Sequence, residues 1–323
     1  MREATPIDAI AEEYTRAVVD LSPMTATSLG VPGRDHLLDD LSPAGTQAGV
    51  DLVRATLAKL DAATPVDATD EVTLAAMRDR LGLELESAEA GDHRRQLNNL
   101  ASPLQALRDV FDLMPTDTAE QWANIAGRLG AIPAALDGYV ENLREGIATR
   151  NTPAIRQVEL GIAEATGLAD AEASFFTAFA AGARPDGAAP AGGLADDLAR
   201  GAASAREAYG RLAAFLRDEL APVARPEDAA GREFYQRMSR QFIGATIDLD
   251  ETYEWGVEEL ARVTAEQEAL AREIAGPGAS VADAVAALDG DPARQLHGTD
   301  ALKAWMQETS DAAIAALDGV HFD

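Results

Sequence analysis

The chain has 323 residues, no cysteine, 55 Asp and Glu against 27 Lys and Arg, and a formal net charge of −28. That charge argues against a nucleic-acid partner, whose phosphates it would repel, and against an anionic membrane surface. Without cysteine there are no disulfides or thiolate metal sites, which suits a reducing, cytoplasmic compartment, and no stretch has the apolar length of a signal peptide or of a membrane span.

Helical periodicity runs from end to end. Ile7, Ile10, Tyr14 and Val18 form a first apolar stripe. The following stretch, SPMTATSLGVPGRDHLLDDLSP at 22–43, is a long connection punctuated by Gly and Pro. Connections of that length often carry function, so Arg34, Asp35 and His36 are its candidate cleft or loop contacts. The alternative is a surface loop pinned by Leu37, Leu38 and Leu41. Ser42-Pro43 then caps and opens a helix with Val50, Val53, Leu57 and Leu60, and Leu74, Met77, Leu81 and Leu85 mark the next. Ser102, Pro103 and Gln105 form a capping box before Leu104, Leu107, Phe111 and Met114.

Asp117 and Glu120 are expected to cap a helix holding Trp122, Ile125 and Leu129, and Pro133 to break or kink it. The pattern resumes through Leu136, Val140, Leu143 and Ile147. Thr152-Pro153 reads as another cap leading toward Phe175, Phe176 and Phe179. Residues 181–193, AGARPDGAAPAGG, have little to pack and read as a linker or loop tip. They divide an N-terminal helical region, 1–180, from a second, 194–323. The second restarts with Leu194, Leu198, Tyr209, Leu212 and Leu216. Asp248 and Glu251 cap a long helix that GPG at 276–278 ends, and helices over 280–290 and about 300–318 complete the pattern. QFIGATIDL at 241–249 reads as a helix end and loop. The fold class is all-α, a layered bundle of long antiparallel helices.

Motifs for chemistry are sparse. The histidines, His36, His93, His297 and His321, show no zinc-binding spacing, and neither a phosphate loop nor a nucleophile elbow is present. Asp248, Asp250, Thr252 and Glu259 fall at calcium-loop positions, but the turn position that requires Gly is Tyr253. Glu258 with Arg262, and Glu268 with Arg272, are the i, i+4 pairs of a solvated helix face. Trp122, Trp255 and Trp305 sit on apolar stripes and read as core. No catalytic or metal-binding residue is assigned.

Four blocks in order resemble the bacterial family called domain of unknown function 885. They are the 22–43 stretch above, NNLASPLQALRDVFDLMP at 98–115, RLGAIPAALDGYVENLREGIATRNTPAIRQVE at 128–159, and GREFYQRMSRQFIGATIDLDETYEWGVEELARV at 231–263. The resemblance implies an all-helical fold similar to large zinc peptidases with a deep cleft. It also implies an H-E-x-x-x-G-H-type zinc motif beyond the counterpart of residue 323, so no catalytic residue carries over. No cofactor is expected in this chain, and zinc only in a longer protein.

The final AALDGVHFD, 315–323, places Val320 and Phe322 beyond a helix stop at Asp318-Gly319. That pattern reads as the start of a further buried element. The leading expectation is therefore the N-terminal half of a zinc-peptidase-like hydrolase, partnered by its missing C-terminal half. It would be inactive alone and offer an acidic cleft wall to a peptide substrate with a basic or free amino end. The rivals are a stand-alone acidic helical binding or scaffold module and an enzyme that works with carboxylates alone.

Overall fold

The structure, a computed structural model, describes residues 2–321. Phe322, named in the expectation for the chain end, lies outside the described residues. The fold is all-α: among the described residues the one extended pairing is an isolated bridge between Ala154 and Arg225. The chain divides into two compact units, 1–246 and 247–323.

The first unit contains α1 (Pro6–Leu21), α2 (Pro23–Ser28), α3 (Pro43–Ala62), α4 (Ala68–Glu89), α5 (Pro103–Asp109), α6 (Ala119–Thr149), α7 (Ile155–Ala169), α8 (Phe175–Ala181), α9 (Gly193–Phe215) and α10 (Arg232–Ile243). Local chemistry starts several of them as the sequence predicts. Ser42 Oγ accepts the Gly45 N–H at α3, and Ser102 and Gln105 cap α5 reciprocally. Two expected caps are displaced. Thr118, not Asp117, caps α6, because Gln121 Oε1 accepts the N–H groups of both residues. At α7 the Thr152-Pro153 pair stays outside the helix. The Ile155 N–H donates to the Arg225 carbonyl at 2.8 Å and the Arg225 N–H to the Pro153 carbonyl at 3.2 Å, which holds the stretch extended.

The main core forms between α6 and α9, with α5, α7 and α8 against them. A β-carbon on Gly201 of α9 would lie 2.8 Å from Leu129 Cβ, so the two helices touch through a glycine. That contact explains why α6 runs unbroken through Pro133, against expectation. Leu129, Ile132 and Leu136 are fully buried around it. At about 1.5–3 kcal/mol per buried side chain they outweigh the roughly 3 kcal/mol that an internal proline costs.

Phe111, Phe175, Phe176 and Phe179 cluster edge-on and stacked, joined by Trp122 and Tyr209. A smaller core joins Ile7 of α1, Val53 and Leu60 of α3, and Leu74 and Leu81 of α4.

The 181–193 segment does not separate two cores. Ala183 is buried in the main core, the Asp186 N–H donates to the Asp117 carbonyl at 2.7 Å, and α9 beyond the segment packs on α6 and α7 before it. The composition that marks a linker here marks a tethered loop.

The second unit contains α11 (Leu249–Ala275), α12 (Val281–Asp289) and α13 (Thr299–Leu317). Asp248 caps α11 and Gly276 ends it, as its sequence predicts. Within this unit α11 packs on α12, and Ala271 and Ala284 are its buried apolar residues. Tyr253, Trp255, Leu260, Trp305, Met306 and Ile314 are each more than half exposed. Of the three tryptophans expected in the core, only Trp122 is buried. Trp255 and Trp305 keep the helical stripe that predicts burial, but the large side chains on it lack a covering surface among the described residues.

Candidate functional site

The 22–43 connection is a built structure with α2 inside it. Arg128, fully buried on α6, holds it in place. Its Nε donates to the Leu37 carbonyl at 2.8 Å, and one Nη donates to Thr27 Oγ1 at 2.9 Å and to the Arg34 carbonyl at 3.2 Å. Asn142 Nδ2 donates to the Leu41 carbonyl at 2.6 Å. The three candidate contacts belong to this anchorage. Arg34 pairs with Asp20, Asp35 lies at 3.5 Å from Thr27 Oγ1, and His36 packs over Gly127. None of the three lines the main cavity of the unit. They sit on a loop held by Arg128 and Asn142, with Leu38 and Leu41 packed on the main core and Leu37 exposed.

The cavity, of about 1120 Å³, opens where the two cores of the first unit meet. Its walls come from α3, α4, a 3-10 turn at Asp92–Arg95, the 153–157 stretch, Arg225 and α10. Val50, Val53, Leu83, Leu85, Phe234 and Met238 supply apolar lining. A second cavity, of about 580 Å³ and reaching Tyr14 and Tyr139, shares Asp39, Glu84, His93 and Gln96 with it.

Each basic group in the cavity is fixed from the backbone up. The turn after Gly91 places Arg95, whose guanidinium lies over the Phe234 ring at 3.9 Å from its centroid. The two bonds to the 153–155 stretch fix Arg225. Asp92 accepts from Arg237 Nε at 2.9 Å and from one Nη at 2.8 Å, and so ties α10 to the turn. Arg240 with Glu86, and Arg80 with the Gln241 carbonyl, tie α10 to α4.

Burial, backed by the charge of Arg94, lowers the pKa of His93 below its ordinary value, against Glu145 and Asp92. Burial also lowers that of Arg95; Asp92 opposes the shift, while Arg225 and Arg237 add to it. Burial raises that of Glu84, which Tyr14 partly offsets by a hydrogen bond. Sequence reasoning missed His93, Arg95 and Arg225. The available signal was the run DHRR at 92–95, a basic cluster in a strongly acidic chain.

Among the described residues no group of three or more His, Cys, Asp or Glu side chains is placed to hold a metal ion. No helix is long and apolar enough to cross a membrane.

Among the solved structures that share the fold are two bacterial proteins. One is described as "the putative lipoprotein" from Colwellia psychrerythraea, with a TM-score of 0.74 at 14% identity over 97% of this chain and 59% of that one. The other is "a putative lipoprotein of unknown function" from Shewanella oneidensis, with a TM-score of 0.70 at 14% identity over 99% and 59%. The chain thus spans about three fifths of the length of each. No curated protein matches. A family pattern covers residues 23–323, and the chain belongs to that family, described as bacterial protein of unknown function, DUF885.

Proposed function

We propose that this chain is the N-terminal helical half of a larger zinc-dependent, peptidase-like hydrolase. The first unit contributes a wall of the substrate cleft, and residues outside 2–321 hold the metal. The observation that carries the reading is the apolar surface of the second unit, where Trp255, Leu260, Trp305, Met306 and Ile314 are exposed. Patches of that kind mark surfaces meant for contact. The shared fold with chains of which this one spans 59% gives the cover a natural source, the remainder of the same protein. No residue of this chain is assigned a catalytic step, and by itself it cleaves nothing. A cytoplasmic location belongs to the same proposal, and recovery of the protein with membranes on fractionation overturns it.

Purified 1–323 tests the reading. The expected result is strong binding of an apolar-surface dye, concentration-dependent self-association, and no chelator-sensitive peptide hydrolysis. A monodisperse chain that binds no dye overturns it. That outcome favours the second reading, a stand-alone acidic helical binding module. The latter draws support from a cavity built wholly from one unit. Chelator-sensitive hydrolysis by 1–323 overturns both.

A further inference from the structure

We propose that the cavity of the first unit binds an organic carboxylate, with Arg95 and Arg225 holding the anion and Phe234 and Met238 receiving an apolar body beside it. The site uses only residues of 1–246 and is independent of what covers the second unit.

Charge pairing carries the assignment. The chain has about twice as many acidic as basic side chains, 55 against 27, and most of its arginines pair with a carboxylate, although Arg80, on this wall, and Arg128 bond carbonyls instead. The cavity walls hold four carboxylates, Asp39, Glu84, Asp92 and Asp228. Each is already engaged. Asp39 accepts from Ser22 Oγ at 2.7 Å and from the Met24 N–H at 2.9 Å, and Glu84 bonds Tyr14. Asp92 is taken by Arg237, and Asp228 by Arg156 at 3.1 Å.

Arg95 and Arg225, by contrast, have no ion pair among the described residues. Arg95 lays its flat face on the Phe234 ring, which leaves its N–H edge open to the cavity it lines. Arg225 gives one Nη to the Ala230 carbonyl at 3.4 Å, and its Nε is buried without any partner. His93 Nδ1, also on the cavity wall, is buried without a partner as well. A buried donor left unsatisfied costs about 1–3 kcal/mol. Two guanidinium groups without a carboxylate partner match the geometry of a carboxylate ligand. The apolar lining and the Phe234 ring define the body such an acid would carry.

The charge balance of the sequence predicts the opposite preference, an acidic wall for basic ends. Folding works against it locally, because Asp92 and Asp228 are paired with Arg237 and Arg156 and Asp39 and Glu84 already accept hydrogen bonds, while Arg95 and Arg225 have no carboxylate partner.

Isothermal titration of 1–323 with N-acetyl-L-phenylalanine, and with its neutral amide as control, tests the site. The expected result is saturable binding of the acid, at least tenfold weaker binding of the amide, and a loss of affinity when salt is raised. Arg95→Gln and Arg225→Gln should each weaken the acid at least tenfold, with helical circular dichroism unchanged. Arg225→Lys, which keeps the charge but not the fork, should lose less. Equal binding of acid and amide overturns the proposal, as does no saturable binding of the acid by the folded wild-type chain. If the glutamine variants misfold, the acid-to-amide ratio on the wild-type chain decides alone.

Discussion

Residues 1–246 and 247–321 use the same vocabulary of capped amphipathic helices and reach different ends. In the first, a stripe such as Leu129, Ile132 and Leu136 meets another helix and disappears from solvent. In the second, the stripe of Trp255 and Leu260 on α11 and of Trp305 and Ile314 on α13 stays in contact with solvent. An apolar stripe fixes which face of a helix wants cover. It does not say whether the cover lies in the same unit.

Substitutions that depend on burial should therefore separate the two regions. The largest effect is expected at Arg128, which makes three hydrogen bonds to the 22–43 connection from a fully buried position. Arg128→Met should cost about 3 kcal/mol or more in urea unfolding. An effect below about 1 kcal/mol would mean that Arg128 does not anchor the connection.

Glycines give a matched pair. A β-carbon on Gly138 of α6 would stand 2.8 Å from the Ser42 backbone nitrogen, whereas one on Gly256 of α11 would meet nothing within 4 Å. Gly138→Ala should destabilise by about 1–3 kcal/mol through overpacking. Gly256→Ala should stabilise its helix by roughly 0.5–1 kcal/mol. The same sign at both positions would erase the distinction.

A pH scan adds a smaller effect confined to the first unit. His93, held below its ordinary pKa by burial and by Arg94, against Glu145 and Asp92, is favoured neutral in the fold. The unfolded chain then binds the proton more readily, so the contribution is complete above about pH 6.5 and is lost as pH falls below it. Denaturation midpoints of the wild type and His93→Gln should keep a constant offset at high pH and differ in their slope below about pH 6.5. Parallel curves would contradict the assignment. The smallest effects belong to the exposed tryptophans: Trp255→Ala and Trp305→Ala should each change stability by no more than about 0.5 kcal/mol while lowering dye binding. A loss of several kcal/mol at either would mean that the residue is packed.

What the sequence makes legible follows the same division. The helices and the caps at Ser42, Ser102 and Asp248 are local, because a capping side chain bonds backbone groups within a few residues. Pro133 inside α6, the tether at Asp186 and the extended start of α7 depend on contacts with segments far along the chain, which periodicity does not report. Arg34, Asp35 and His36 stand out in the sequence because their loop is long, yet the loop is fastened by Arg128, more than ninety positions away. The cavity arginines escape notice for the complementary reason. Arg95 and Arg225 come together only through the turn at Asp92–Arg95 and the bridge to Ala154.

The most direct measurement of the contrast is hydrogen exchange, followed peptide by peptide on purified 1–323. Amides of α6 and α9 should exchange at the slow rate of global unfolding, and those of α11 and α13 orders of magnitude faster, because few buried apolar contacts hold them. Comparable slow exchange across both units would contradict the account, since it would mean that 247–321 already carries a stable core of its own.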